Sequence, residues 1–212
     1  MNEVNKNKNE FCFSSKNKIL VENELKKYPK GRETSAIISL LWIAQKQNGG
    51  WLSTEIIEYV AFYLNIPKIR SMEIATFYSM FNLSPVGKYH FQMCGTTPCM
   101  LCGSDSLKEV LSKKIGAQSS VTDDKLFSWI EVECLGACCN APVIQINDDY
   151  YEDLHSSDLE IILDNLKNNK SIKDGSYKKR ISSEPLNKDL KMLTEDEIQE
   201  MVKNRKKPGI SA

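Results

Sequence analysis

The stretch KYHFQMCGTTPCMLCGSDSLKEVLSKKIG, residues 88–116, contains two secondary-structure patterns separated by three cysteines. Its first part alternates apolar and polar side chains, which predicts a β-strand with one buried face that ends at Cys94. Beyond the cysteines, Ser106-Leu-Lys-Glu109 has the pattern of a capping box, and apolar residues at helical spacing continue towards Gly116. The stretch therefore predicts a strand, a cysteine-containing loop and a helix in succession.

The residues that follow extend this pattern into a complete small domain. FSWIEVE, residues 127–133, predicts a second strand, and cysteines again begin where it ends. VIQI and YYE predict a hairpin around Asn147-Asp148-Asp149. Ser157-Asp-Leu-Glu160 is then expected to cap a last helix, which continues to about Asn168. The order is β-α-β followed by β-β-α, which is the layout of a thioredoxin-like domain.

The residues before this domain are predicted to be helical and to pack as a compact bundle. Short loops containing Gly, Pro and Asn separate the periodic segments. The last helix is expected to start at Pro67, to reach Phe81 and to place Ile74, Phe77 and Tyr78 on its inward face. The earlier helices are predicted at residues 19–27, at residues 32–47 and after a cap at Ser53.

Together these patterns predict the α+β fold class, with an N-terminal helical bundle followed by a thioredoxin-like domain. The predicted divisions are a disordered arm over residues 1–16, the bundle over 17–85, the thioredoxin-like domain over 86–170 and an extended tail over 171–212. The arm and the tail are rich in polar and charged residues, so neither is expected to form a core of its own. Thr194-Glu-Asp-Glu197 has the pattern of a cap for one short helix in the tail.

Composition excludes several classes of partner. Lysines and arginines number 28, and so do the acidic residues, so the balance gives no electrostatic case for nucleic acid or an anionic membrane surface. No apolar run approaches the roughly 20 residues needed to span a bilayer. The first residues, MNEVNKNKNE, resemble neither a secretory signal nor a transit peptide. We therefore expect a protein kept in a reducing compartment, with no direct membrane insertion.

Seven cysteines in a reducing compartment are expected to bind metal or to carry out redox chemistry rather than to form disulfides. Cys12 stands alone, and the other six fall into two groups that each begin where a predicted strand ends. A sheet of these two strands would bring the two loops side by side, which favours one shared site. The pairs Cys94-x4-Cys99 and Cys134-x3-Cys138 would each supply two thiolates, one pair for each iron of a [2Fe–2S] cluster. Glycines in both loops would let backbone N–H groups approach the sulfur atoms closely.

Other arrangements of these cysteines remain open on spacing alone. Structural zinc sites use similar spacings, although only two histidines exist, which also disfavours a Rieske centre. Cys99-Met-Leu-Cys102 matches the CxxC of a dithiol oxidoreductase. Cys94-x4-Cys99-x2-Cys102 matches the spacing of plant-type ferredoxins, in which Cys102 would be a ligand and a cysteine of the second group would be spare.

The two cysteine segments, CGTTPCMLCGS and IEVECLGACCNAPVIQIND, resemble the small thioredoxin-like [2Fe–2S] subunit of the NADH-dehydrogenase module of respiratory complex I. YPKGRETSAIISLLWIAQKQNGGWLS, EIATFYSMFNLSPVGKYH and DDYYEDL are similar to the same subunit, so the resemblance covers about residues 18–170. It implies a thioredoxin-like [2Fe–2S] ferredoxin domain, in which Cys94, Cys99, Cys134 and Cys138 hold the cluster. Cys102 and Cys139 are additions to that pattern.

The resemblance also implies a function, namely electron transfer within NADH:quinone oxidoreductase. No G-x-G-x-x-G or P-loop motif is present, so FMN and NADH are expected only on a partner flavin subunit, and no catalysis is expected from the isolated chain. Further partners would be other subunits of the peripheral arm, at the cytoplasmic face of a bacterial inner membrane or on the mitochondrial matrix side. The alternatives are the equivalent subunit of a soluble NAD-linked hydrogenase or formate dehydrogenase, and a stand-alone thioredoxin-like ferredoxin.

Overall fold

The computed structural model describes residues 11–184 and 194–204, and the rest of the predicted N-terminal arm and C-terminal tail lies outside these residues. The N-terminal part contains four α-helices and one short 3-10 helix, Glu33–Ala36, which precedes the second of them. The α-helices are α1 (Ser15–Leu25), α2 (Ile37–Gln47), α3 (Thr54–Tyr63) and α4 (Lys68–Phe77). Their apolar faces form one hydrophobic cluster that includes Leu40, Leu41, Ile57 and Val60.

Residues 11–16, the described part of the predicted disordered arm, are ordered. Helix α1 starts at Ser15, where the Ser14 hydroxyl accepts a hydrogen bond from the backbone of Asn17. Phe13 is buried, and its ring lies edge-on to that of Tyr59 with the ring centroids 5.4 Å apart. Burial of two phenylalanines, Phe11 and Phe13, against the helical cluster explains why residues 11–16 are ordered.

Helix α4 ends earlier than predicted, and this changes which side chains are buried. The chain turns into an extended conformation at Tyr78, so that Phe81 rather than Phe77 fills the core. Phe77 is 79% exposed and Tyr78 is 40% exposed, so the prediction that both face inward is wrong. The buried Gln45 explains the turn, because its amide donates to the Met80 carbonyl at 3.0 Å and accepts from the backbone of Asn82 at 2.7 Å.

The second part of the chain contains a five-stranded sheet. Its strands are β1 (Tyr89–Cys94), β2 (Phe127–Val132), β3 (Ile144–Ile146), β4 (Asp149–Glu152) and β5 (Gly175–Ser176). Their spatial order is β2-β1-β3-β4-β5. Strand β1 pairs in parallel with β2 and antiparallel with β3, while β3 and β4 form the predicted hairpin. The order β-α-β then β-β-α is therefore confirmed.

Three helices accompany the strands: α5 (Thr97–Leu101), α6 (Ser104–Lys114) and α7 (Ser156–Lys167). The apolar residues of α6 and α7 share one cluster with Phe91 and Trp129 of the central strands. Both helix starts differ from the predicted capping boxes. Helix α6 begins after Gly103 in a left-handed conformation, and α7 is capped by His155. Gly103 can adopt this conformation because it has no Cβ atom.

The described residues of the C-terminal tail contain two short elements. Strand β5 pairs in parallel with β4, and helix α8 (Glu195–Asn204) begins where Thr194 and Glu197 exchange hydrogen bonds, as the capping pattern predicts. None of the helices in the described ranges is both long enough and apolar enough to cross a membrane.

Candidate metal centre

The first cysteine pair lies at the end of β1 and on the short helix that follows it. Cys94 is the last residue of β1, and Cys99 lies on α5. Both are buried, in a small cluster with Ala141 and Val143. The Cys94 backbone donates to the Val143 carbonyl at 3.2 Å, which ties this strand end to the chain leaving the second cysteine loop. Strand, turn and short helix together place both thiols on one side of the loop.

The second pair lies on the loop after β2. The sulfur atoms of Cys134 and Cys138 are 3.3 Å apart, and both residues are exposed. The loop bends at Gly136, which has a positive φ of 82° and whose N–H donates to the sulfur of Cys134 at 3.4 Å. A side chain with a Cβ atom is strained in this conformation, so glycine suits the bend.

The sheet brings the two loops together, because β1 and β2 are neighbouring parallel strands whose ends point the same way. Cys94 pairs with Val132, two residues before Cys134. The Thr96 hydroxyl lies 3.3 Å from the sulfur of Cys94 and also interacts with Cys134. The predicted convergence of the two loops is therefore present, with Thr96 between them.

The thiols interact within each pair and across the pairs. Burial raises the pKa of Cys99 to about 12, and a hydrogen bond shared with Cys94 adds to the shift. Burial acts on Cys94 in the same direction, but hydrogen bonds from Thr96 and from the Leu135 backbone outweigh it, so the pKa of Cys94 is lowered overall. The pKa values of the two buried cysteines are thus shifted in opposite directions.

The exposed pair shows the same asymmetry. The Gly136 N–H and the neighbouring Cys138 thiol lower the pKa of Cys134, while the bond to Cys134 raises the pKa of Cys138. A negative charge on Cys94 would raise the pKa of both exposed cysteines. Four thiols so close together repel one another as thiolates, and bound iron would relieve this repulsion while releasing protons.

The remaining cysteines stand apart from this constellation. Cys102 is the exposed residue that directly follows α5, and it precedes Gly103, the N-cap residue of α6. Cys139 directly follows Cys138 but takes no part in the sulfur contact between Cys134 and Cys138. The Cys139 backbone carbonyl instead accepts a hydrogen bond from Arg180 at 2.9 Å. Cys12 is exposed near the start of α1.

The donor set has the form of two pairs. Within the part of the chain that the structure describes, no three His, Cys, Asp or Glu side chains are arranged to hold a single metal ion. A [2Fe–2S] cluster has a different requirement, because each iron takes two cysteine ligands and bridging sulfides complete its coordination. Two neighbouring thiol pairs with backbone N–H groups aimed at sulfur fit that requirement.

A cleft of about 500 Å³ lies beside the exposed cysteines. Trp42 and Lys46 of α2 line one side, while Gln92 and Gln145 of the sheet line the other, and Cys134 is part of the wall. An exposed ion pair between Lys46 and Asp148, 2.6 Å apart, joins the helical part to the hairpin. The helical part therefore forms one wall of the surroundings of the cysteine site.

Sequence reasoning missed the polar residues that support the site. Thr96 follows Cys94 at a spacing that carries no recognisable motif, and its role depends on the parallel pairing of β1 and β2. Arg180 and Asp153 are 27 residues apart in sequence and form an ion pair that is almost entirely buried. No local pattern marks such a pair.

Comparison with known proteins agrees with the fold. A family model described as thioredoxin-like [2Fe-2S] ferredoxin matches residues 21–167, and the chain belongs to this family. Membership in a [2Fe-2S] ferredoxin family implies that a [2Fe–2S] cluster is the group to consider at the four cysteines. The α+β fold with a thioredoxin-like ferredoxin domain is thereby confirmed.

Relatives with high identity are named as a subunit of NADH-quinone oxidoreductase. The relative from Rickettsia bellii is 56% identical over 159 residues, which cover 74% of this chain and 95% of the relative. The relative from Rickettsia typhi is 54% identical over 159 residues, which cover 74% of this chain and 94% of the relative. Both bear the same name, and both are subunits of an oxidoreductase complex.

A solved structure of an NAD+-reducing [NiFe]-hydrogenase in the H2-reduced state has the same fold. The TM-score is 0.54 at 16% identity, over 62% of this chain. This chain spans only 22% of that hydrogenase chain. At such low identity the likeness shows the fold alone.

Proposed function

We propose that Cys94 and Cys99 bind one iron of a [2Fe–2S] cluster and that Cys134 and Cys138 bind the other. The observation that carries this proposal is the meeting of two thiol pairs on the loops after two neighbouring parallel strands. Thiolates are soft ligands that suit iron–sulfur clusters. Membership in the [2Fe-2S] ferredoxin family supports the choice of this cluster over a mononuclear metal.

We further propose that the chain is the electron-transfer subunit of NADH:quinone oxidoreductase and exchanges single electrons with FMN of a partner flavin subunit. The names and high identity of the rickettsial relatives support this role. The chain has no dinucleotide-binding fingerprint of its own, so NADH oxidation falls to the partner. The rickettsial relatives also favour a bacterial chain, peripheral at the cytoplasmic face of the inner membrane and in contact with other peripheral-arm subunits.

The two cysteine pairs would have different roles at the site. Cys94 and Cys99 are buried, so they anchor the cluster to the protein core, whereas Cys134 and Cys138 are exposed and form the edge nearest to a partner. When bound, the cluster supplies a one-electron carrier. Backbone N–H groups that point at sulfur, such as that of Gly136, would stabilise the negative charge of the reduced form.

We retain the division into a helical bundle over residues 17–85, a thioredoxin-like domain over 86–170 and a tail over 171–212 as a proposal. The helices of the first part expose large apolar side chains, including Phe62, Ile69 and Phe77, which a monomer gains nothing by exposing. This exposure supports a role as a subunit rather than as a stand-alone ferredoxin.

A second candidate is the equivalent subunit of a soluble NAD-linked hydrogenase. The fold likeness to the NAD+-reducing [NiFe]-hydrogenase favours it, but the identity is 16% against 56% for the relative from Rickettsia bellii. Affinity purification of the tagged chain from its own cells separates the two. Recovery of a flavin subunit with membrane-arm proteins supports the proposed role, and recovery with hydrogenase subunits contradicts it.

Reduction of the cluster by NADH tests the electron-transfer step. The chain alone should show no change in its visible absorption when NADH is added, and adding the flavin subunit should allow NADH to bleach it. Bleaching by NADH in the absence of the flavin subunit would contradict the division of roles.

Serine variants of two cysteines three residues apart, Cys99 and Cys102, test the assignment of ligands. Replacing Cys99 by serine should remove the cluster, because its buried thiolate closes one corner of an iron, and Cys102→Ser should leave iron and sulfide content unchanged. Retention of the cluster in Cys99→Ser with its loss in Cys102→Ser would favour a different ligand set.

A further inference from the structure

Residues 175–184, here called the strap, form a structured extension beyond the residues that match the family model. The strap begins as strand β5, where Gly175 and Ser176 pair with Tyr151 and Glu152 of β4. The Tyr177 backbone then donates to the Glu152 carbonyl at 2.9 Å. This pairing fixes the start of the strap on the edge of the sheet.

Arg180 connects the strap to the chain beside the second cysteine pair. Its guanidinium forms a two-bond ion pair with Asp153, in which Nε lies 2.9 Å from Oδ2 and Nη2 bonds to Oδ1. The Asp153 side chain is fully buried, and the Arg180 side chain is 10% exposed. Nη2 also donates to the backbone carbonyl of Cys139 at 2.9 Å. Arginine is suited to this role because its planar fork has several donors in fixed directions.

A second set of bonds reaches the same short segment. The side-chain amide of Asn140 donates to the Ser182 carbonyl at 2.7 Å and to the Glu152 carboxylate at 2.5 Å. The Asp153 backbone donates to the Asn140 carbonyl at 2.8 Å. The two residues that directly follow Cys138 are thus each bonded to the strap, and Asn140 is itself buried.

The two cysteine pairs differ in what holds them in place. Cys94 and Cys99 are packed in an apolar cluster, whereas Cys134 and Cys138 are exposed. An exposed loop gains little from packing, so its shape depends on directional hydrogen bonds. The strap supplies such bonds immediately after Cys138.

We infer that Arg180 is a positioning residue, which fixes the segment after Cys138 and thereby holds the exposed thiolate pair in the geometry that iron requires. This inference rests on the proposed cluster. The ion pair with Asp153 fixes the guanidinium, so that Nη2 can also donate to the Cys139 carbonyl. Residues of this kind, which contact the ligands but not the metal, orient the ligands and strengthen metal binding.

The test compares three full-length variants with the wild-type chain. Arg180→Met removes the whole fork, while Arg180→Lys keeps the charge beside Asp153 but lacks the second bond, from Nε, that orients the fork on the carboxylate. Lys179→Met is the matched control, because it removes the same charge from the next residue, whose side chain is exposed. Amide hydrogen exchange of residues 134–140 and the rate of iron release to a chelator are measured on each.

Arg180→Met and Arg180→Lys should both speed amide exchange across residues 134–140, with exchange in β1 and α6 unchanged. Both should release iron about 10–100-fold faster than the wild type, as expected when a supporting partner of a metal ligand is lost. Lys179→Met should match the wild type. Wild-type rates in Arg180→Met would overturn the inference, and so would full rescue by Arg180→Lys, since charge alone would then suffice.

The exchange measurement separates this inference from the proposed function. Absence of iron and sulfide from the wild-type chain would contradict the proposed cluster, while exchange at residues 134–140 would still report whether Arg180 fixes the segment. If the Arg180 variants exchange faster but release iron at the wild-type rate, the inference about Arg180 is overturned and the proposed cluster is not.

Discussion

Acidification from pH 7.5 to pH 5 is expected to destabilise the folded protein through a single buried histidine. His90 lies on β1 with 8% of its surface exposed, and its Nδ1 atom is 2.8 Å from the Ser128 hydroxyl, which also accepts from the backbone of Gly87. Burial lowers the pKa of His90 from 6.5 to about 4, because the charged imidazolium would lose its hydration. His90 therefore stays neutral in the folded chain at pH 5.

The magnitude follows from the two pKa values. The unfolded chain binds a proton at His90 near pH 6.5 and the folded chain only near pH 4, so lowering the pH through this window stabilises the unfolded state. The full effect, reached below pH 4, is about 3 kcal/mol, and at pH 5 it is about 2 kcal/mol. Above pH 7 the histidine is neutral in both states and the effect vanishes.

Urea unfolding at pH 7.5 and at pH 5 measures this difference, and His90→Gln should remove about 2 kcal/mol of it because glutamine does not titrate. His155→Gln is the control, since it removes the exposed histidine and should leave the His90 contribution in place. An NMR titration of the His90 ring gives the pKa directly. Two results would contradict the assignment of this pH dependence to His90. One is a ring that titrates near pH 6.5, and the other is a loss of stability between pH 7.5 and pH 5 that is as large in His90→Gln as in the wild type.

Three further outcomes follow from particular contacts. Cys138→Ser should lose or distort the cluster while Cys139→Ser retains it, as measured by iron and labile sulfide content; the reverse pattern would contradict the ligand assignment. Gly87→Ala should lower the free energy of unfolding by about 1–3 kcal/mol, because a Cβ there would lie 2.5 Å from the backbone of Phe127; urea unfolding at pH 7.5 checks this, and an unchanged stability would disagree. Asp148→Asn should cost less than about 1 kcal/mol in the same assay, because its ion pair is exposed, and a larger loss would contradict that view.

Strands β1 to β4 and their order along the chain could be predicted from the sequence because the evidence for them is local, whereas β5 was not predicted. Strands β1 and β2 alternate apolar and polar residues or carry a dense apolar run, and the hairpin of β3 and β4 is marked by Asn147-Asp148-Asp149. Spacing alone leaves the choice among the six clustered cysteines open, and the family resemblance supplies the proposed pairs. The prediction that the two loops meet needs only the rule that parallel neighbouring strands end on the same side.

The features that were predicted wrongly or missed depend on contacts between residues that are distant in sequence. The helical period continues through Phe77 and Tyr78, but hydrogen bonds from Gln45 to the chain beyond them end helix α4. The arm looked polar, yet Phe13 packs against Tyr59, 46 residues away. In the same way nothing near residue 180 in the sequence indicates a buried carboxylate partner.

The central claim is a [2Fe–2S] cluster held by Cys94, Cys99, Cys134 and Cys138. Low-temperature EPR spectroscopy of the purified chain after reduction with dithionite tests it most directly, because a reduced [2Fe–2S] cluster carries one unpaired electron whereas zinc and a dithiol give no signal. We expect a single spin per chain in the wild type and its loss in Cys94→Ser. A spectrum without a signal from an intact, folded and reduced wild-type chain would contradict it.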